Sequence, residues 1–310
     1  MSIAVYFSSL SFIKLLKNMP GGVAQGLIWG LMALGVYITF RLLDVADLTV
    51  DGSFTTGGAC TVMLILAGWP AWAALLVAVI AGVAAGFCTG MLHTKLGIPA
   101  ILAGILTQFS LYSINLHIMG MAANKAVSVD KYDLILSSRT VPSAILTGFI
   151  IALALVSFFY WYFGTEQGSA LRATGSNAAM SRAQGIDVNS MKVLGLSISN
   201  GIVALSGGLM AQYQGFADIS SGIGIVAVGL ASVIIGETIM GRHGVTVGLI
   251  SAVVGSCLYR MFIAAALKVD LFPAYSLKLI SAVIVIIALA IPTLQKKLGS
   301  RKHKGGASRC

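Results

Sequence analysis

Charged residues are scarce in this chain. Asp, Glu, Lys and Arg make up 10% of its 310 residues, whereas a soluble domain typically carries about 25%. Hydrophobic residues make up 57%, and the mean hydropathy is +0.93. Apolar runs of about 20 residues, each long enough to cross a hydrocarbon core, recur along the whole sequence. The chain is therefore predicted to be an all-α polytopic membrane protein, and a soluble globular protein is excluded.

The sequence also lacks the residue groupings of a metal or catalytic site. Its four Cys and four His residues are scattered, without the spacing of metal ligands or of a disulfide framework. It contains no G-x-x-x-x-G-K-S/T loop to cradle a nucleotide phosphate. We expect no catalytic residue, no metal and no cofactor on this chain, and the pattern disfavours a membrane-embedded enzyme.

Positive charge exceeds negative charge, with a formal net charge of +10. Six Lys and Arg residues follow the last apolar run, within residues 296–309. The positive-inside rule places such a tail in the cytoplasm, whereas a nucleic-acid partner would need these residues clustered on a soluble face. We therefore expect a basic cytoplasmic tail over residues 295–310 and no nucleic-acid partner.

The apolar runs define eight or nine expected transmembrane helices. Residues 1–19 carry Lys14 and Lys17 after their apolar stretch, the reverse of a signal peptide, so an interfacial helix is expected there. With the tail inside, nine crossings put the 164–192 segment in the cytoplasm and the 120–141 loop outside. The expected spans lie near residues 20–41, 52–68, 70–92, 98–119, 142–163, 193–214, 219–240, 245–267 and 275–294.

An internal repeat links the two halves. GLMALGVYITFRLLDVADLT (30–49) aligns without a gap with GIVALSGGLMAQYQGFADIS (201–220), so that residue 30 stands opposite residue 201, and five positions are identical. Both segments end where an apolar run gives way to a polar, glycine-rich turn. The two predicted spans run in opposite directions, which is typical of inverted repeats with interrupted helices. The expected transmembrane domain, 20–294, then comprises repeat one (20–163), a connecting segment (164–192) and repeat two (193–294).

Glycines recur at four-residue spacing in two of the predicted spans. Such small-xxx-small ridges allow close helix packing, and a hinge role is the alternative. The two sets are Gly22, Gly26 and Gly30, and Gly82, Gly86 and Gly90.

The stretch LLDVADLTVDGSFTTGG, residues 42–58, places three carboxylates between two apolar runs. Irregular backbone at membrane depth is tolerated only where protein or a water-filled cavity surrounds it. The carboxylates either cap the helix predicted to begin near Ser53 or contact a solute. In the repeat, Asp47 is matched by Asp218, but Gly222 stands opposite Asp51.

Polar side chains near the two turns and inside the spans are the candidates for a translocation path. Each hydroxyl has an alternative role, a hydrogen bond back to a carbonyl of its own helix. The candidates are Asp47, Thr49, Asp51, Ser53, Thr55, Thr56, Gln108, Asn115, Asn200, Asp218, Ser220 and Ser221.

The connecting segment contains a second informative stretch, SNAAMSRAQG, residues 176–185. It predicts a short helix with Ser176 or Asn177 as its cap and Gly185 as its terminator. Such a helix alone is marginal in water, so we expect it to dock on a partner, with an ordinary loop as the alternative. Farther along, Glu237 precedes the turn Met-Gly-Arg-His and is expected to pair with Arg242 or His243.

Two motifs resemble those of a known family. ALRATGSN (170–177) with AQGID (183–187) resembles the cytoplasmic coupling segment of the permeases of bacterial ABC importers that include the branched-chain amino acid and ribose permeases. DLTVDGS (47–53) is similar to the family's DLSVGS signature, and closest to the form with an added Asp in tryptophan-type importers of Gram-positive bacteria. The resemblance covers about residues 20–294, without the extra amino-terminal span of ribose-type members.

The resemblance implies the permease subunit of an ATP-driven, binding-protein-dependent importer in the bacterial cytoplasmic membrane. The solute would be small and polar, an amino acid such as tryptophan or another aromatic. ATP and Mg would bind a separate dimeric ABC ATPase in the cytoplasm, an extracytoplasmic lipoprotein would deliver the solute, and two permease copies would form a homodimer. The ATPase-coupling residues would be Thr174, Gly175, Ser176, Asn177, Ala178, Ala179, Arg182, Gly185 and Ile186. A secondary transporter working without an ATPase is the alternative that an inverted repeat also fits.

Overall fold

The computed structural model describes residues 12–128, 131–241 and 244–268, and six single positions between 279 and 290. These residues form ten α-helices and one two-stranded antiparallel sheet. The helices are α1 (Phe12–Tyr37, extended by a π-helical turn over Ile38–Leu42), α2 (Thr49–Leu66), α3 (Ala71–Thr94), α4 (Ala100–Ile118), α5 (Val141–Gly164), α6 (Glu166–Ser176), α7 (Ala178–Ala183), α8 (Val188–Gln214), α9 (Ile225–Met240) and α10 (Gly244–Lys268). The strands are β1 (Asn124–Ala126) and β2 (Phe216–Asp218).

Six of the described helices, α1, α3, α4, α5, α8 and α10, are long and apolar enough to cross a membrane. The prediction of an all-α polytopic membrane protein is confirmed. Two further predicted spans are present as the more polar α2 and the shorter α9. Residues 12–19 continue directly into α1 through Pro20, without a break at residue 20. Residues 1–11, the tail and most of the predicted span 275–294 lie outside the described residues.

Helix α8 lies at the centre, packed along α1, α2 and α3. The Ser206 hydroxyl donates to the carbonyl oxygen of Ile28 on α1, and the Ser199 hydroxyl donates to that of Gly35, each at 2.8 Å. The numbers rise along α1 as they fall along α8, so these two helices are antiparallel. In the repeat, position 28 is equivalent to 199 and position 35 to 206, so the two pairs of contacting positions are exchanged by the repeat, although α8 supplies the hydroxyl in both. The predicted inverted repeat is confirmed, with a local two-fold axis between α1 and α8.

The two glycine ridges make contacts that are equivalent in the repeat. A Cβ added to Gly26 would lie 2.6 Å from the Cα of Cys257 on α10, and one added to Gly86 would lie 2.9 Å from the Cα of Ser197 on α8. Positions 26 and 197 are equivalent in the repeat, as are 86 and 257. Any side chain here would separate the backbones, so the predicted packing role of these glycines is confirmed.

The chain reverses between α1 and α2. Asp44 turns it in the left-handed conformation, with φ of 54°, which Asp tolerates better than most residues. The chain then returns to Thr49, where α2 begins beside Asn200. Asn200 is twelve residues into α8, so α2 starts about 18 Å along that helix at 1.5 Å per residue. Helix α2 thus begins inside the bundle, four residues before the predicted start near Ser53.

Helix α9 begins inside the bundle as well, because its first turn contacts Asp51 near the start of α2. The two amino termini therefore face each other at the middle of the bundle, and the predicted interrupted helices are confirmed. We call the end of the bundle that holds the carboxy termini of α1, α3 and α9 the Leu42 end. The opposite end, where α8 terminates at Gly215 with φ of 78°, is the Gly215 end.

Candidate functional site

Asp47 joins repeat one to repeat two. Its Oδ2 accepts a hydrogen bond from Nδ2 of Asn200 at 2.7 Å, and its Oδ1 accepts one from the backbone N–H of Thr49 at 2.9 Å. Oδ1 of Asn200 in turn accepts from the hydroxyl of Ser53 at 2.6 Å. All four residues are buried. Because each buried polar group here has a partner, this network holds the two halves in one relative position.

A chain of hydroxyls extends the network across three helices. The Thr89 hydroxyl lies 2.7 Å from that of Thr49 on α2, and donates to that of Thr107 on α4 at 2.9 Å. Thr89 and Thr107 were not among the predicted site residues, because an isolated Thr in an apolar span carries no signal of its contacts. The Thr56 hydroxyl instead bonds back to its own helix, because it donates to the carbonyl oxygen of Gly52 at 2.9 Å.

Asp51 caps a helix of the other repeat. Its Oδ2 accepts from the backbone N–H of Gly224 at 2.8 Å, and its Oδ1 accepts from that of Val226 at 2.9 Å. A carboxylate at this position neutralises the positive end of the α9 dipole and pairs its free amides. At the start of α2, a free backbone N–H, that of Thr49, is paired by Asp47 and not by Asp51. Asp51 cannot cap α2, because it already lies inside that helix.

A cavity of about 380 Å³ opens beside Asp51, between α2, α4 and the turn that precedes α9. Its polar residues are Asp51, Thr55, Gln108 and Asn115, all of them path candidates from the sequence. The remaining lining is mainly apolar, with Phe109, Tyr112, Ile219 and Ile223. Predominantly apolar walls with a few polar groups are typical of small-molecule sites.

Asn115 is the unusual member of this cavity. Its side chain is fully buried, and neither its Nδ2 nor its Oδ1 has a hydrogen-bond partner among the described residues. An unpaired buried polar group costs about 1–3 kcal/mol. Asn115 therefore borders the cavity with an amide that no described residue pairs.

The second predicted turn lies elsewhere. Asp218 pairs with Asn124 across the sheet at the Gly215 end, and its Oδ1 accepts from the backbone N–H and the hydroxyl of Ser220. Ser220 and Ser221 are exposed, and none of the three lines the cavity beside Asp51. Position 29, equivalent to Asn200, is Trp29, which offers no amide to Asp218. The two turns are therefore equivalent in sequence but different in structure.

The connecting segment folds into α6 and α7. Oδ1 of Asn177 accepts from the backbone N–H of Met180 at 3.0 Å, and Gly185 ends the segment with φ of 82°, so the predicted cap and terminator are confirmed. Asp187 then caps α8, and the Ser190 hydroxyl that donates to it holds the pKa of that carboxyl below its usual range. Met180 on α7 is 63% exposed, whereas Ser181 is buried.

Helix α6 is seated on the Leu42 end of the bundle. A Cβ on Gly175 would overlap the carbonyl oxygen of Leu42 and would lie 2.8 Å from the Cα of Leu43. The backbones therefore touch, so α6 cannot move toward the bundle without moving the end of α1. Of the proposed coupling residues, Thr174, Gly175 and Ser176 end α6, Asn177, Ala178, Ala179 and Arg182 form α7 with its cap, and Gly185 and Ile186 precede α8.

Glu237 joins α9 to the end of α1. It forms an ion pair with Arg41 of the π-helical turn. The residues first expected to pair with it, Arg242 and His243, lie outside the described residues. At the Leu42 end, the end of α1 is thus joined to α9 by this ion pair and to α6 by the contact of Gly175 with Leu42.

Spanning helices in two inverted repeats, with interrupted helices meeting beside a mainly apolar cavity that holds a few polar groups, are typical of a membrane transport protein. The chain belongs to the family described as branched-chain amino acid transport system / permease component, whose model matches residues 18–289. It is thus a permease component of a transport system, and a multi-pass membrane protein.

Relatives of known sequence agree with this family. The chain is 38% identical to the tyrosine transport system permease protein of Clostridioides difficile (strain R20291), over 91% of this chain and 94% of that one. It is 29% identical to the autoinducer 2 import system permease protein LsrC of Yersinia pseudotuberculosis (strain PB1/+), over 79% of this chain and 67% of that one. A solved structure, PsaBC from Streptococcus pneumoniae in complex with Fab, is similar in fold alone, with a TM-score of 0.51 and 15% identity over 93% of this chain and 95% of that chain.

Proposed function

We propose that the chain is the transmembrane subunit of an ATP-driven, binding-protein-dependent importer of an aromatic amino acid. The observation that carries this proposal is α7, a short exposed helix at the Leu42 end, next to the α6 terminus that packs on that end. It offers Met180 to a partner, while the buried Ser181 and the contact of Gly175 with Leu42 fix its base. An exposed helical projection of this kind suits the cleft of a separate ATPase subunit, which would bind ATP and Mg.

Movement at α7 has a physical route to the cavity. Gly175 contacts the backbone at Leu42, and Arg41 in the same turn pairs with Glu237 near the end of α9. The first turn of α9 is bound by Asp51, which lines the cavity. An ATPase dimer that displaced α7 would therefore shift a helix that borders the solute site. Coupling of the ATPase contact to the solute cavity requires an element whose position depends on both sites. In this proposal α9 is that element.

The cavity suits a zwitterion with an aromatic side chain. Asp51 offers a carboxylate toward an ammonium group, and Asn115 and Gln108 offer amide donors toward a carboxylate. Phe109 and Tyr112 supply rings beside them. The name of the Clostridioides difficile relative, a tyrosine transport permease, supports the same substrate class. An extracytoplasmic lipoprotein would deliver this solute to the Gly215 end.

The cavity also opens along a face of α4 that none of the described residues covers. Leu106, Phe109, Tyr112 and Ile114 are among the exposed apolar residues of that helix. A second copy placed against α4 would bury them and close the cavity on its open side. We therefore propose a homodimer with the solute path between the two copies, and the Leu42 end in the cytoplasm with the carboxy terminus.

The test is uptake by the complete complex in vesicles, with the ATPase and the binding protein of the same system. We expect aromatic amino acids to stimulate ATP hydrolysis and to accumulate only when ATP is present. Met180→Glu should lower both activities at least tenfold, because a charge desolvated in a partner's cleft costs well over the roughly 1.4 kcal/mol that a factor of ten represents.

Leu96→Glu is the matched control, since Leu96 is an apolar residue of similar exposure, 69%, in another turn. It should leave uptake at the level of the unmodified complex. Uptake that continues without ATP would identify a secondary transporter instead. Full activity of Met180→Glu would show that α7 is not the coupling element.

A further inference from the structure

Six consecutive aromatic residues, FFYWYF at 158–163, end α5 at the Leu42 end of the bundle. Phe159 and Phe163 are buried in the core, whereas Tyr160 and Trp161 are 63% and 65% exposed. Tyr and Trp side chains concentrate at the level of lipid headgroups, where one part of the ring system is apolar and the other is hydrated. This end of α5 therefore lies at the level of the headgroups.

A second cavity, of about 460 Å³, opens at the same level between the ends of α5, α6 and α10. Tyr160, Trp161, Arg172 and Thr246 are among the residues that line it. None of the described lining residues is acidic. The Nε atom of Arg172 is buried and has no hydrogen-bond partner among the described residues. The cavity thus presents a guanidinium group without a counter-charge in its described walls.

We infer that this cavity binds the phosphate of an anionic phospholipid. The planar guanidinium group of Arg172 matches two phosphate oxygens, and the Thr246 hydroxyl can donate to a third. The exposed rings of Tyr160 and Trp161 would contact the glycerol and the upper acyl chain. Basic pockets between membrane helices on the cytoplasmic side bind anionic headgroups in this manner.

The phosphate chemistry alone would also fit free inorganic phosphate. The aromatic rings favour the lipid, because a small hydrated ion gains nothing from apolar surface at its rim. Arg172 lies on α6, three residues before Gly175, which contacts Leu42. A bound lipid would therefore hold α6 against the bundle. This inference goes beyond the proposed function and depends on neither the solute nor the ATPase.

The experiment uses the full chain, purified in detergent without partners and mixed with either phosphatidylglycerol or phosphatidylcholine. Native mass spectrometry then measures the fraction of protein that retains each lipid. We expect phosphatidylglycerol to be retained about fivefold more than phosphatidylcholine, as one favourable surface charge predicts. Arg172→Gln should abolish this preference. Lys95→Gln, which removes a charge from an exposed position outside the cavity, should preserve it.

Two further variants keep the result interpretable if Arg172→Gln does not fold, as size-exclusion elution would reveal. Thr246→Val removes a hydroxyl at constant shape and should weaken retention of both lipids, because both carry the phosphate, and Trp161→Ala should also weaken retention of both. An unchanged preference in Arg172→Gln, or unchanged retention of both lipids in Thr246→Val, would overturn the assignment. Displacement of phosphatidylglycerol by inorganic phosphate, together with no effect of Trp161→Ala, would identify a free phosphate site and also overturn it.

Discussion

Asp51 and Gly222 occupy equivalent positions of the two repeats, and their backbones touch. A Cβ added to Gly222 would overlap the carbonyl oxygen of Asp51 and the hydroxyl of Thr55. A residue contacts its own equivalent only close to the axis that relates the two repeats. The axis therefore passes beside the cavity, where the amino termini of α2 and α9 meet. A side chain is excluded on one side of this contact, which explains why the repeat carries a carboxylate at one position and a glycine at the other.

Gly222→Ala is predicted to destabilise the protein by about 1–3 kcal/mol, the usual effect of overpacking a closely packed site. The added methyl group would force the backbone of Asp51 away and disturb the amide contacts that it makes with α9. Gly21→Ala is the control, because nothing lies within 4 Å of a Cβ at that position. Thermal unfolding in detergent should show a lower midpoint for the first variant alone. Equal midpoints would mean that the contact is looser than described.

Asp51→Asn is predicted to lower stability by about 1.5–3 kcal/mol, because Asp51 makes charge-assisted hydrogen bonds to the first turn of α9. An amide oxygen can accept from one of the two backbone N–H groups, but the NH₂ group faces the other. Asp44→Asn provides the matched control, since Asp44 is exposed and Asn also tolerates a positive φ.

Unfolding midpoints measured without solute separate this effect from any loss of solute binding. Asp44→Asn should stay within about 0.5 kcal/mol of the unmodified protein. A similar small change for Asp51→Asn would exclude a capping role and leave solute contact as the remaining role of this carboxylate.

The hydrogen bond between Asp47 and Asn200 should appear as a coupling energy. Asp47→Ala, Asn200→Ala and the double variant are predicted to give an interaction energy of about 1–3 kcal/mol in a double-mutant cycle, because each single change leaves a buried polar group unpaired. A second cycle that pairs Asp47→Ala with Asn189→Ala, an exposed residue at the start of α8, should be additive within about 0.5 kcal/mol. Additivity in both cycles would show that the two repeats are held together by other contacts.

The architecture could be predicted largely from local signals. Hydropathy indicates the spans, a gapless alignment pairs the positions of the two repeats, and cap chemistry predicts α7 from Asn177 to Gly185. These signals act within a few residues or repeat along the chain. The contacts of the site could not be predicted in this way, because an alignment shows which residues are equivalent and not which ones meet. Asp47 bonds to Asn200 across 153 residues of chain, and Asp51 bonds to Gly224 across 173 residues.

Opposite orientation of the two repeats can be tested in intact cells. Ala46 and Ser220 are both exposed, one in the turn before α2 and the other in the turn before α9. In a background without the four native cysteines, Ala46→Cys should react with a membrane-impermeant maleimide only after the membrane is opened, and Ser220→Cys should react in intact cells. Labelling of both from the same side would contradict the proposed orientation.

Asn115→Leu should separate solute recognition from stability. Leu has nearly the same size and needs no hydrogen bond, so removing the unpaired amide should leave the unfolding midpoint unchanged or slightly raised. Uptake by the reconstituted complex should fall about tenfold at low solute concentration, as the loss of one hydrogen bond worth about 1.4 kcal/mol predicts. Asn189→Leu makes the same exchange at an exposed position outside the cavity and should retain uptake. A destabilised Asn115→Leu would mean that the amide is satisfied within the protein, and a stable variant with full uptake would mean that the solute does not reach it.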